Sequence, residues 1–253
     1  VQALGGAKNH MLVLPDADLE LAADAAVNGG FGSAGERCMA VSVVLATDSI
    51  ADQLVEKIVA RVRTLRTGDG STGVDMGPIV TRQARDRITG YIAAGAQAGA
   101  TLVVDGREGP FDGASDGYFV GPTLFDNVAT DMSIYTDEIF GPVLSVVRVS
   151  GFDEGLGLIN ANPYGNGSVI FTNDGGAARK FEIEVQSGMV VINVPVPVPM
   201  AYYSFGGWKN SLFGDSHAHG TEGVHFFTRS KTVTRRWPDP SARGLQLGFP
   251  QNH

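Results

Sequence analysis

Short apolar runs rich in β-branched residues alternate along this chain with amphipathic stretches of helical period, and that alternation is what most constrains the fold. Val41-Ser42-Val43-Val44-Leu45 reads as a buried strand. After it, Leu54, Val55, Ile58, Val59, Val62 and Leu65 recur at helical spacing while Lys57, Arg61 and Arg63 fall elsewhere, which predicts an amphipathic helix over 52–65. A helix over 83–98 and a strand over 101–104 follow. The pattern returns downstream, with strands at 143–149, 168–172 and 189–193 separated by helices at 153–160 and 177–186. Apolar strands joined through helices predict an α/β fold, a mostly parallel sheet flanked by helices on both faces. Upstream, Asp16 or Asp18 can cap a helix over the Ala-rich run 19–28, which Gly29-Gly30 is expected to end.

With 253 residues, 43% of them hydrophobic, the chain is long enough to bury a sizeable core. A formal net charge of −8 argues against a nucleic-acid partner, which would need a basic footprint. The most apolar stretch, 190–200, is too short to span a bilayer and is broken by Pro195, Pro197 and Pro199, so no membrane association is expected. Cys38 is the only cysteine, which leaves no internal disulfide and no cysteine cluster for zinc; a reducing, cytoplasmic compartment is expected. The first six residues, opening on Val1, read as mid-protein sequence, and a fragment of a longer chain is expected.

Gly30-Phe31-Gly32-Ser33-Ala34-Gly35 fits the glycine pattern of dinucleotide-binding folds. That pattern needs a strand before it and a helix after it, because the helix N-terminus holds the pyrophosphate. Here a helix precedes and a strand follows, so the glycines are expected to shape the loop that presents Cys38. A lone cysteine is most simply a small buried hydrophobe. Its position at a loop–strand junction beside Arg37 allows another role, since a nearby positive charge or inward-facing amides favour the nucleophilic thiolate.

Asp137-Glu138-Ile139-Phe140-Gly141-Pro142 leads into the strand at 143–149. It is either a plain turn with Phe140 in the core, or a carboxylate and an aromatic at the carboxyl-end rim of the sheet. In the second case Glu138 accepts hydrogen bonds from a ribose and Phe140 packs on a planar ring. His217 and His219 lie in a Gly-rich stretch that reads as a solvated loop, and His10, His225 and His253 show no ligand spacing; no metal is assigned.

Leu4-Gly5-Gly6, Gly35-Glu36-Arg37-Cys38, Glu138-Ile139-Phe140-Gly141-Pro142, Asn162-Pro163-Tyr164-Gly165 and Phe205-Gly206-Gly207-Trp208-Lys209 occur in that order. Together they resemble the motif series of the aldehyde dehydrogenase superfamily. The resemblance implies that Cys38 forms a thiohemiacetal with an aldehyde and then, after hydride transfer to NAD, an acyl thioester. It implies that Glu138 binds the nicotinamide ribose with Phe140 beside it, and that Phe205 lines the aldehyde tunnel or belongs to the core.

One departure bears on the chemistry. Hydrolytic members carry a Glu immediately before Leu-Gly-Gly, where this chain has Ala3, and a methyl group cannot activate water. The stretches 3–10 and 32–40 resemble the CoA-acylating methylmalonate-semialdehyde dehydrogenase branch. That resemblance implies coenzyme A as co-substrate, methylmalonate or malonate semialdehyde as substrate, and Arg37 as a holder of the substrate carboxylate. The plainer reading of Arg37 is a salt bridge with Glu36 or Asp137. Leu212-Phe213-Gly214-Asp215 lacks the Ser-Gly usual in hydrolytic relatives. Two competing readings stand: a non-acylating semialdehyde dehydrogenase, and an inactive assembly domain.

Residues 1–227 are therefore expected to form a catalytic domain, with the NAD-binding domain upstream of this chain and the isolated fragment inactive. Residues 228–237 read as an oligomerisation strand serving a homodimer or homotetramer, and 238–253 as a poorly ordered tail. The compartment implied for a eukaryotic homologue is the mitochondrial matrix.

Overall fold

The computed structural model describes residues 1–113, 116–237, 239, 241 and 248. In chain order its elements are β1 (Ala3–Leu4), β2 (Asn9–Val13), α1 (Leu19–Phe31), β3 (Val41–Thr47), α2 (Asp48–Val62), α3 (Arg82–Gln97), β4 (Thr101–Val104), β5 (Thr123–Asp126) and α4 (Ser133–Thr136). Then follow β6 (Val143–Val149), α5 (Phe152–Ala161), β7 (Tyr164–Gly165), β8 (Gly167–Phe171), α6 (Gly175–Glu184), β9 (Met189–Ile192), β10 (Trp208–Lys209), β11 (Leu212–Phe213) and α7 (Gly220–Phe227). Seven strands form one sheet in the order β4-β5-β6-β3-β2-β8-β9. Every pairing is parallel except β4 with β5, at one edge.

The expected α/β architecture is present. Leu54, Ile58 and Val62 of α2 are buried, as their spacing predicts. The interior strand β2 is one that hydrophobic pattern did not reveal: Asn9 and His10 open it, yet all five of its residues are buried. Phe125, Phe171 and Phe181, each fully buried, are among the largest side chains of the core.

Asp18 caps α1, its carboxylate accepting from the amides of Glu20 at 3.0 Å and Leu21 at 3.1 Å. Gly29-Gly30 does not end this helix, which runs on to Phe31. The two glycines serve close packing instead. A Cβ on Gly29 would lie 2.9 Å from the Pro195 carbonyl oxygen, and one on Gly30 3.2 Å from that of Val41.

Residues 228–237 form no strand within the chain and are exposed. The expectation for 238–253 falls almost wholly outside the described residues. Among the described residues no helix is long and apolar enough to cross a membrane.

Candidate active site

After α1 the chain turns sharply. Ser33, Ala34 and Gly35 all have positive φ, at 53°, 55° and 68°. A Cβ on Gly35 would sit 2.2 Å from the Gly141 carbonyl oxygen, so only glycine fits there. This left-handed turn carries the chain past the end of α1 and into β3 with Cys38 exposed at the junction. The glycines thus shape the Cys38 loop, as their context predicted.

Cys38 lines a narrow, open cleft whose walls include Ala7, Asn9, Arg37, Glu138 and Phe140. The thiol and the Glu138 carboxylate, placed far apart in sequence, are brought together. The cleft lies at the amino ends of the parallel strands, since Ala7, Cys38 and Phe140 immediately precede β2, β3 and β6. The expected position at the carboxyl-end rim is therefore wrong. The carboxyl ends of these strands run into the helices α1, α2 and α5, which leaves the incoming loops at the other edge to build the site.

Backbone hydrogen bonding at the cleft is supplied largely by side chains that sequence reading did not single out. Asn9 Nδ2 donates to the Cys38 and Ala40 carbonyl oxygens at 2.9 Å each, and Asn166 Nδ2 donates to the same Cys38 oxygen at 2.9 Å. Glu138 Oε1 accepts from the Ala7 amide at 3.1 Å. Burial pushes the Glu138 carboxyl pKa upward, against the Ala7 amide and the Lys8 and Arg87 charges. Lys8 is buried; its Nζ donates to the Ile134 and Asp137 carbonyl oxygens at 2.8 and 2.7 Å. Burial lowers its pKa to about 7, opposed by the Asp137 and Glu138 carboxylates. The only hint of these roles in the sequence is a run of polar residues, 8–10, where an apolar strand begins.

Arg37 lines the cleft but makes neither expected salt bridge. Its Nη2 donates to the Asn28 and Gly29 carbonyl oxygens at 2.7 and 3.2 Å, at the C-terminal end of α1, where a cation meets the negative end of the helix dipole. Its Nε is buried without a hydrogen-bond partner. Burial lowers the guanidinium pKa, with the Cys38 charge opposing. Glu36 instead accepts from the Val80 amide and Asp137 from the Tyr91 hydroxyl.

Phe140 is 40% exposed and holds a left-handed backbone conformation, φ 53°. It is not the core residue of the plainer reading. Phe205 does not line the cleft: its backbone pairs with Ala218 at 2.7 and 2.9 Å and its ring lies 5.9 Å from that of His219. Ala3 pairs with Phe213 across β1 and β11 and is exposed. Among the described residues no group of three or more His, Cys, Asp or Glu side chains is clustered for a metal.

Comparison with known proteins gives the same family as the motifs. The aldehyde dehydrogenase family model matches residues 1–233. Malonate-semialdehyde dehydrogenase of Pseudomonas aeruginosa is 54% identical over 253 residues, covering 99% of this chain and 51% of that protein. The crystal structure of methylmalonate-semialdehyde dehydrogenase from Oceanimonas doudoroffii superposes with a TM-score of 0.92 at 52% identity, covering 95% of this chain and 50% of that one. Betaine aldehyde dehydrogenase from Staphylococcus aureus, solved in complex with NAD+, superposes with a TM-score of 0.83 at 34% identity, covering 88% of this chain and 44% of that one. The chain thus spans about half the length of the relatives it matches.

Proposed function

This chain belongs to the aldehyde dehydrogenase family, and on that footing we propose that it is the catalytic half of an NAD- and coenzyme A-dependent malonate- or methylmalonate-semialdehyde dehydrogenase. The observation that carries the reading is the exposed Cys38 thiol sharing one open cleft with the Glu138 carboxylate and the Phe140 ring. The relatives' names, malonate- and methylmalonate-semialdehyde dehydrogenase, support the substrate class.

In this mechanism the Cys38 thiolate adds to the aldehyde carbon and forms a thiohemiacetal. Its collapse expels a hydride and leaves a thioester on Sγ. NAD supplies the hydride acceptor. The residues present fit that cofactor: Glu138 receives one hydrogen bond among the described residues, from Ala7, which leaves Oε2 free for ribose hydroxyls. Phe140 offers an exposed aromatic face beside it. The coenzyme A thiolate then attacks the thioester carbonyl and releases acyl-CoA and the Cys38 thiolate. The substrate's carboxylate is lost as carbon dioxide, the electron pair of the broken bond passing into the thioester enolate, and the α-carbon takes up a proton from water, giving the acetyl or propionyl group that coenzyme A carries away. Arg37, a cation in the wall of the cleft, is the residue proposed to hold that carboxylate before it leaves.

Ala3 supplies no general base for water, which favours acylation over hydrolysis. In the full-length protein, omitting coenzyme A is expected to leave a single burst of NADH per active site and no steady-state turnover. Sustained turnover without it would establish the hydrolytic alternative. Residues 228–237, exposed and unpaired within the chain, are the segment proposed to pair with another subunit in a homodimer or homotetramer.

A further inference from the structure

The segment from Ile134, in α4, to Phe140 is gripped from two sides by basic side chains that do not line the cleft. Lys8 Nζ holds the Ile134 and Asp137 carbonyl oxygens at 2.8 and 2.7 Å. Arg87, on α3, donates from Nη1 to the Ile139 carbonyl oxygen at 2.7 Å. The carbonyls on both sides of Glu138 are thus each taken by a charged donor. Among the described residues neither cation lies within salt-bridge distance of a carboxylate. Burying a lysine with only carbonyl partners is costly, so its retention calls for a cause. The backbone it holds offers one: Phe140 stands at φ 53°, a conformation that a bulky residue keeps only when its surroundings impose it.

Lys8 also sits between two residues that make their own ties to the site. The Ala7 amide donates to the Glu138 carboxylate and Asn9 to the Cys38 carbonyl. We propose that Lys8 and Arg87 are positioning residues: they fix the backbone on either side of Glu138 so that its carboxylate and the Phe140 ring face the cofactor. This inference rests on the reading of Glu138 as the ribose-binding carboxylate. Both cations act on NAD through Glu138, and neither touches the aldehyde or the thiol. Their charges also favour the ionised carboxylate that burial opposes.

The test is a double-mutant cycle in the full-length protein, read as the dissociation constant of the binary NAD complex by fluorescence titration. Glu138→Gln and Arg87→Ala are each expected to weaken NAD binding about tenfold or more. Arg87 is exposed, so truncating it leaves the core intact. In the Glu138→Gln background Arg87→Ala is expected to add little, and Arg87→Lys to recover part of the loss in the wild-type background. The rate of Cys38 alkylation by iodoacetamide is expected to stay unchanged in the Arg87 variants. A folded Lys8→Met variant is expected to shift the NAD constant in the same direction; wild-type affinity there removes Lys8 from the proposal. Weakening by Glu138→Gln alone, with Arg87→Ala neutral, overturns the positioning role but keeps the ribose reading, as do equal losses from Arg87→Ala in both backgrounds. Unchanged NAD affinity in Glu138→Gln overturns both.

Discussion

The side-chain amide of Asn9 donates to the backbone carbonyl of Cys38 at 2.9 Å, tying the first residue of the interior strand β2 to the loop that carries the thiol. The same amide nitrogen reaches the Ala40 carbonyl, and Asn9 Oδ1 accepts from the Gly167 amide at 3.0 Å. One buried side chain thus joins the Cys38 loop to the start of β8. The backbone at Cys38 is held while its thiol stays accessible, the combination that an attacking group requires.

Asn9→Ala removes all three bonds and leaves the Gly167 amide and the Ala40 carbonyl to find other partners, while the Cys38 carbonyl keeps Asn166. Unfolding in urea is expected to show a loss of about 2–4 kcal/mol. A change within about 0.5 kcal/mol would sink this account of how the loop is held.

Gly35→Ala places a methyl group against the Gly141 carbonyl oxygen at a left-handed position. A loss of about 2 kcal/mol or more is expected from its thermal midpoint. A Cβ on Gly70 would meet nothing within 4 Å, so Gly70→Ala is expected to be near neutral and serves as the control. Equal effects from the two would remove the steric explanation.

Cys38→Ser in the full-length protein keeps nearly the same volume and replaces the thiol with a poor nucleophile. Turnover of methylmalonate semialdehyde is expected to fall by about 10³-fold or more, with NAD binding retained. Activity near wild type would show that the chemistry lies elsewhere.

Lys8 predicts a specific pH dependence of stability. Its pKa is about 7 in the fold and near 10.5 in the unfolded chain. Between those values the unfolded state binds more protons, so the free energy of unfolding rises with pH. The penalty for burying the charge is full below pH 7 and is relieved as pH climbs toward 10.5. Wild-type stability minus that of Lys8→Met, measured by denaturant titration, is therefore expected to increase across this window. A flat difference would mean that burial does not depress the lysine's pKa.

The sequence pattern located five of the seven strands of the main sheet, all but β2 and β5, because each records local burial. The run 143–149 and the strand β6 coincide, and α2 buries the stripe that its spacing marked. It missed β2, whose first two residues are polar and whose burial depends on β3 and β8 pairing on either side. It misread Gly29-Gly30 because a packing glycine and a terminating one look alike until the opposing Pro195 and Val41 are in place.

For the site, Cys38 and Glu138 were legible because their neighbours form motifs, and the turn at Ser33 to Gly35 was legible from its glycines. Their placement at the amino edge of the sheet, the anchoring of Arg37 on α1, and the roles of Asn9, Lys8, Arg87 and Asn166 were not. Sequence alone determined which groups can attack, accept and stack, since those abilities belong to the residue types. Only the tertiary structure decided what each one touches, because the Asn9 hydrogen bonds that hold the thiol loop join residues from 29 to 158 positions apart and exist only once the strands are laid side by side.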